Sequence, residues 1–367
     1  MNNKDEKISF KYSVKEYINK DKESIKVLSC FSGGGGSTIG YKLNGYQVIA
    51  NIEIDKKQND IYLKNHTPKY NYNKDIREVV DMSKNKKLPK ELYELDILDG
   101  SPPCSVFSSC GLRDRGWGKE KKFREGQKPQ TLDDLFFVFG DLLNELKPKV
   151  VIGENVIGII QGKAKTEYAE KIISMYEEID YYAKYFVLNS KDMGVPQSRN
   201  RVFFIGIRKD LMSYNEFKLI EKELIFNEKE IKFKEVQKKV KIQDKLTFLK
   251  KNTKNTILFK NLKTGENNLS YAHKRLFGKR AAFGRVVLWP DKIPNTIVSH
   301  NTYLYSDKPC CISKEELILI SSFPYDYDFI NNSLNNIKYV CGMAVPPFMT
   351  KAISKRIIDF LNNIKKY

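Results

Sequence analysis

Several side chains in this sequence belong to types that do covalent and acid–base chemistry, and each sits where an apolar run begins or ends. Cys104 stands directly behind Pro102 and Pro103 in ILDGSPPCSVFSSCGLRDRGW. Glu154 and Asn155 close KVVIGENV, while Arg199 and Arg201 lead into the apolar run of MGVPQSRNRVFFIG. A thiol attacks an electron-poor carbon as its thiolate, a form that neighbouring cations favour. A carboxyl group near the same centre can share or deliver a proton. Alternate residues of an extended segment face the same way, so Arg199 and Arg201 can point together into one site. Each residue alone also has a plainer reading. Free cysteines are usually small buried hydrophobes, a strand-end glutamate is usually a structural acceptor, and arginines usually line a solvated or ion-paired face.

Such groups need a scaffold. IKVLSCFSGGGGSTIGYKLNGYQVIANIEID reads as strand, glycine turn, helix and strand: Ile25 to Cys30 is a short apolar run, Gly33 to Gly36 break it, and Ile49 to Ile54 resumes it. The glycines let backbone approach a ligand closely, and the helix that follows offers free N–H donors. Glu53 is placed like the acidic residue that takes ribose hydroxyls in nucleoside-binding sheets. Tight helix–strand packing with no ligand would need the same glycines. Strand-like runs recur at LDILDGSPP, KVVIGENV, YFVLNSKD and RVFFIGIR, separated by helix-like LDDLFFVFGDLLNELK and YAEKIISMYEEID. This alternation predicts an open, mostly parallel α/β sheet. Ligands of such sheets lie beyond the carboxyl ends of the strands, which puts the thiol, the carboxylate and the guanidinium groups at one edge.

Bulk composition narrows the partners. The 367 residues carry 64 Lys and Arg against 45 Asp and Glu, a formal net charge of +19, which attracts polyanions and above all nucleic acid. No apolar run reaches the roughly 20 residues of a membrane span, and the polar N-terminus lacks a signal core, so a soluble cytoplasmic protein is expected. The six cysteines form no CxxC and no zinc-like cluster, so free thiols and no metal site are expected.

Taken together and in this order, the motifs resemble the cytosine-C5 DNA methyltransferase family, over nearly the whole chain except the first two dozen residues and roughly Asp210 to Gly284. FSGGGG resembles the motif that binds S-adenosylmethionine, with Phe31, Ser32, Gly33, Gly35 and Gly36. IEID resembles the motif in which an acidic residue, here Glu53, takes the ribose while Ile54 lies against adenine; in KDI, Asp75 and Ile76 correspond to contacts at the adenine edge. SPPCSVFS resembles the nucleophile motif, ENV the carboxylate motif, and GVPQSRNRVFFIG the paired-arginine motif. GMAVPP resembles the last motif, which completes the cofactor pocket. Pro102, Leu135, Met343 and Ala344 join the implied cofactor set. Ser29 stands where the family commonly has aspartate, Ser105 where glutamine is usual, and Met343 where asparagine is usual.

The resemblance implies a Rossmann-like, mostly parallel sheet with helices on both faces, formed by residues 1–208 and completed by 335–367. It also implies a smaller, irregular target-recognition domain with its return segment at 209–334. The implied reaction moves a methyl group from S-adenosylmethionine to C5 of a flipped-out cytosine through a Cys104 adduct at C6. Glu154 would hydrogen-bond N3 and the exocyclic amine, Arg201 would contact the O2 edge, and Arg199 would position Glu154 or the thiol. The basic stretch from Ser105 to Asp133 would be a lid meeting phosphates, with Ser105, Ser108, Arg113, Arg115 and Lys119 as DNA contacts. Arg275, Lys279, Arg280 and Arg285, interleaved with aromatics, are the recognition-domain candidates. The expected partner is double-stranded DNA, served by a bacterial monomer that is solitary or the modification half of a restriction–modification system, its endonuclease being a separate chain. Two other readings compete: a tRNA cytosine-5 methyltransferase, and a catalytically silent nucleic-acid-binding regulator.

Overall fold

KVLSC forms β1 (Lys26–Cys30), and the chain turns through its glycines into α1 (Gly36–Leu43) before β2 (Gln47–Ile52). This is the expected βαβ unit, with β1 and β2 parallel. The computed structural model describes residues 9–18, 24–103, 134–241, 246–281 and 284–364. The chain continues through α2 (Lys56–Asn65), β3 (Tyr70–Tyr72), α3 (Ile76–Lys84), β4 (Ile97–Gly100), α4 (Leu135–Leu146), β5 (Val150–Val156), α5 (Lys163–Glu178), β6 (Tyr181–Asn189) and β7 (Asn200–Arg208).

These strands make one seven-stranded sheet in the order β3-β2-β1-β4-β5-β7-β6. Neighbours from β3 to β5 run parallel, and β7 alone is antiparallel to both strands beside it. The strand order reverses between β1 and β4, and a crevice opens at the carboxyl ends of such a switch point.

Side-chain alternation decides what each face carries. On one face Leu28, Leu98 and Val151 join α3, α4 and α5 in an apolar core. Gly100 and Gly153 are partners in register on that same face. A Cβ at Gly100 would sit 2.5 Å from the Phe139 ring, and one at Gly153 would sit 2.9 Å from the Phe136 ring. The glycine pair therefore lets α4 lie directly on the strand ends. The opposite face carries Ser29, Asp99 and Glu154, with α1 against it through the Tyr41 hydroxyl.

The chain divides into two compact units. The larger comprises Lys15–Asn189, Asn200–Phe226 and Met349–Tyr367, which includes the sheet, α6 (Tyr214–Lys218) and α7 (Ile220–Glu223). The smaller comprises Met1–Val14, Ser190–Arg199 and Asn227–Phe348. Residues 209–226 thus group with the sheet, and 335–348 with the smaller unit. The smaller unit holds α8 (Phe233–Lys239), α9 (Lys254–Lys260), α10 (Ser270–Phe277), α11 (Lys314–Ile320), α12 (Leu334–Met343) and a two-stranded parallel pair, β8 (Arg285–Leu288) and β9 (Thr302–Tyr305). The C-terminal helix is α13 (Pro347–Ile364). Among the described residues no helix is long and apolar enough to cross a membrane, and no group of His, Cys, Asp or Glu could hold a metal ion.

Candidate active site

The turn after β1 is shaped by backbone conformations that side chains seldom adopt. Phe31 has φ 54°, Gly33 51° and Gly35 91°. A non-glycine residue in the left-handed region is held there by its surroundings, and Phe31 packs near Phe139, ring centroids 6.4 Å apart. Glu53, just past β2, accepts from the Gly33 N–H at 2.7 Å with one carboxylate oxygen and from the Asp55 N–H at 2.7 Å with the other. Asn73 fixes the Glu53 carbonyl at 2.6 Å. Among the described residues no atom beyond the chain neighbours lies within 4 Å of where a Cβ of Gly33 would stand. Ser32 is buried, Gly36 begins α1, and Ile54 is 37% exposed. A carboxylate held in place by two backbone N–H groups, an apolar side chain open to solvent and a glycine turn at the switch point together fit a nucleoside-bearing cofactor.

Asp75 caps α3, accepting from the Arg77 N–H at 2.9 Å, and the Arg77 guanidinium bridges Asp75 at 3.1 Å and Asp134 at 2.8 Å. That bridge ties the start of α3 to the start of α4. Ile76 and Leu135, the residues that open these helices, are both buried in the core.

At the ends of β4 and β5 the structure brings together three predicted positions. Asn155, buried, donates to the Pro102 carbonyl at 3.3 Å and accepts from the Val156 N–H at 2.8 Å, holding the turn that leads to Cys104. Glu154 is 8% exposed and receives Arg201 Nε at 2.8 Å. Pairing of β5 with β7 places Val156 opposite Arg201, so the contact follows from strand register. Cys104 itself, and Ser105, Ser108, Arg113, Arg115 and Lys119 with the rest of the basic segment, lie outside the described residues.

The described cysteines are poor nucleophiles. Burial pushes the thiols of Cys30, Cys310 and Cys311 up, and that of Cys341 to about 12.

Arg199 is 2% exposed and donates to the carbonyls of Ile297 at 2.9 Å and Gly342 at 3.0 Å, all within the smaller unit. A Cβ on Gly342 would meet the Ser299 nitrogen at 2.4 Å, so this glycine of GMAVPP is packed backbone on backbone. Met343 is exposed and Ala344 half-buried. Gln197, buried, accepts from the Ile297 N–H at 3.0 Å and donates to the Ile320 carbonyl at 3.3 Å.

The basic candidates of the smaller unit differ from one another. Arg275 pairs with Glu266 at 3.0 Å and also donates to the Asn261 carbonyl. Arg285 donates to Thr302 at 3.3 Å. Arg280 lies 4.7 Å from the centroid of the exposed Tyr271 ring, and Lys254 lies 4.9 Å from that of Phe277. Lys279 is exposed after the left-handed Gly278 that ends α10.

A family model described as C-5 cytosine-specific DNA methylase matches residues 25–359. The Type II methyltransferase M.FnuDI of Fusobacterium nucleatum is 29% identical over 366 residues, covering 93% of this chain and 96% of that protein. M.MthTI of Methanothermobacter thermautotrophicus, also a Type II methyltransferase, is 27% identical and covers 93% and 99%. Among solved structures, a prophage-encoded E. coli protein described as a DNA modification methyltransferase superposes with a TM-score of 0.64 at 20% identity, over 92% of this chain and 100% of that one. DNMT2 of Spodoptera frugiperda gives 0.58 at 16% identity, over 91% and 100%. These structural likenesses concern the fold.

Proposed function

This chain belongs to the C-5 cytosine-specific DNA methylase family, whose members are methyltransferases acting on DNA and generally using S-adenosylmethionine, and from that premise we propose how its own residues divide the work. The turn from Phe31 to Gly36 and Glu53 hold S-adenosylmethionine, with Ile54 against its adenine and Asp75 at the adenine edge. When bound, that cofactor supplies a methyl group carried on a sulfonium. Ile76, Pro102 and Leu135 complete the cofactor set of the larger unit, and the resemblance adds Met343 and Ala344 of GMAVPP to it.

Cytosine C5 is a weak nucleophile. Attack of the Cys104 thiolate on C6 makes the ring an enamine-like donor at C5, and loss of the C5 proton with departure of the thiolate restores the aromatic base. Glu154 bonds N3 and the exocyclic amine, sharing a proton as charge builds on the ring, while Arg201 holds that carboxylate and meets the O2 edge. The base is out of reach inside a duplex, so it is flipped into this site. The single observation that carries the reading is the Glu154–Arg201 pair at 2.8 Å, one residue from the Asn155 bond to Pro102.

Double-stranded DNA is the substrate, and the smaller unit reads the target, with Lys279, Arg280 and Arg285 contributing to its contact. The enzyme works as a cytoplasmic monomer, as a solitary methylase or beside a separately encoded endonuclease. Cys104→Ala is expected to abolish methyl transfer and leave duplex binding in place; turnover by that variant would remove Cys104 from the nucleophile's role. Tritiated methyl transfer to duplex DNA against tRNA, followed by bisulfite sequencing of the modified duplex, distinguishes DNA from RNA and reports the target.

A further inference from the structure

Asp99 is a carboxyl group inside the sheet, 4% exposed, on β4 at the switch point. It stands opposite Ser29 in register and accepts from the Ser29 hydroxyl at 3.0 Å. Its other oxygen accepts from the Tyr41 hydroxyl at 3.0 Å. Tyr41 lies on α1, the helix that the glycine turn opens, one turn after Ser37, whose side chain acts on the same carboxyl group. One carboxyl group thus collects hydroxyls from β1 and from α1. Burying it is costly unless it is well bonded, and an apolar residue would suit the middle of a sheet better for stability alone. Ser29 is also the position at which the resembled family commonly carries an aspartate, so this chain has the carboxyl one strand over.

We propose that Asp99 is a positioning residue, which fixes the glycine turn and α1 against the strand that leads through Pro102 to Cys104. The inference rests on the assignment of that turn to S-adenosylmethionine. As a carboxylate, Asp99 accepts from every hydroxyl around it; protonated, it must donate one bond, and one of those hydroxyls is left without its acceptor. Its surroundings are Ser29 and Cys30 from β1, Ser37 and Tyr41 from α1, Tyr62 from α2 and Glu154 from β5. Burial pushes the thiol and both tyrosines up, so none of the three carries charge in the neutral range. Burial first, and the field of Glu154 after it, push Asp99 itself up to about 7, so the tie changes state in the neutral range.

The test measures S-adenosylmethionine binding by calorimetry between pH 6 and 8.5 on the full chain, alongside steady-state methyl transfer and thermal melting. Wild type is expected to bind more tightly above neutrality than below. Asp99→Asn is expected to weaken binding about tenfold at pH 8, the size of one missing charge-assisted hydrogen bond. It should also flatten the pH dependence and raise KM for the cofactor more than it lowers kcat. Tyr41→Phe, which keeps the packing, is expected to weaken binding severalfold and carries the test if Asp99→Asn does not fold. The exchange variant Ser29→Asp/Asp99→Ser returns the carboxyl to β1 and is expected to restore affinity. Binding by Asp99→Asn and Tyr41→Phe with wild-type affinity and wild-type pH dependence would overturn the inference alone. Wild-type protein that binds no cofactor at any pH would overturn the cofactor reading and this inference with it.

Discussion

Glu154 and Arg201 form a nearly buried ion pair at the strand ends. The carboxylate is almost buried, and the guanidinium that meets it at 2.8 Å is its described counter-charge. On the mechanism proposed above, Glu154→Gln keeps the shape of the side chain but loses the proton shared with the base, so kcat in tritiated methyl transfer should fall by roughly 100-fold or more while duplex affinity holds. Two other buried groups set opposite pH trends in stability. Burial against Tyr17 and Tyr62, and then the charge of Lys42, push His66 well below its ordinary value. The folded state resists protonating it, so its contribution is complete above about 6.5 and is lost as pH falls below that. His66→Phe should make acid destabilisation shallower in melting curves taken from pH 7 down to 5. Asp99 is raised instead, so its stabilising share is present at low pH and is lost as pH rises through about 7. Asp99→Asn should remove that decline between pH 5 and 8 in denaturant titrations. Residue types and order in the sequence point to Glu154 and Arg201 because both sit at the ends of recognisable strands. Asp99 is hidden in an apolar run, and its partner Ser29 lies 70 residues away, so its significance appears only once β1 and β4 pair.

At the scale of elements, the strand ends are set by small residues that let helices lie close. Gly100 and Gly153 have no room for a side chain beneath the rings of α4. Gly100→Ala and Gly153→Ala should each cost roughly 1–3 kcal/mol, measured by denaturant unfolding, because the aromatic core must shift to accept a methyl group. The βαβ unit, β4 to β7, α4, α5 and α13 can all be read from apolar periodicity broken by glycine, proline or polar turns. Strand β3 cannot, since YNY is too short and too polar to show a period. The helices of the smaller unit are masked by lysine and asparagine, and their order comes from capping and tertiary packing more than from amphipathic pattern: Ser313 and Glu316, for example, form a reciprocal cap. Arg199 shows the same limit for a side chain. Its sequence context suggests a partner for Arg201, yet its hydrogen bonds reach residues 98 and 143 positions away.

Across the whole molecule the net charge of +19 gives a field that draws DNA, but basic residues do not share the work equally. Arg275 is occupied by Glu266 and the Asn261 carbonyl, whereas Lys279 is exposed and Arg280 lies over an aromatic ring. Neutralising Lys279 or Arg280 should reduce the slope of log binding constant against log salt by about 1 for each phosphate that the variant no longer neutralises. Arg275→Ala should leave that slope alone and lower the melting temperature. The compact units also divide the chain discontinuously, because Ser190–Arg199 belongs with Asn227–Phe348 although the sheet strands β6 and β7 flank it. Gln197 and Arg199 are the buried struts by which those ten residues brace Ile297, Ile320 and Gly342. The smaller unit is therefore not one contiguous cassette: a graft of 227–348 has to bring its own 190–199 with it, or arrive without its keystone.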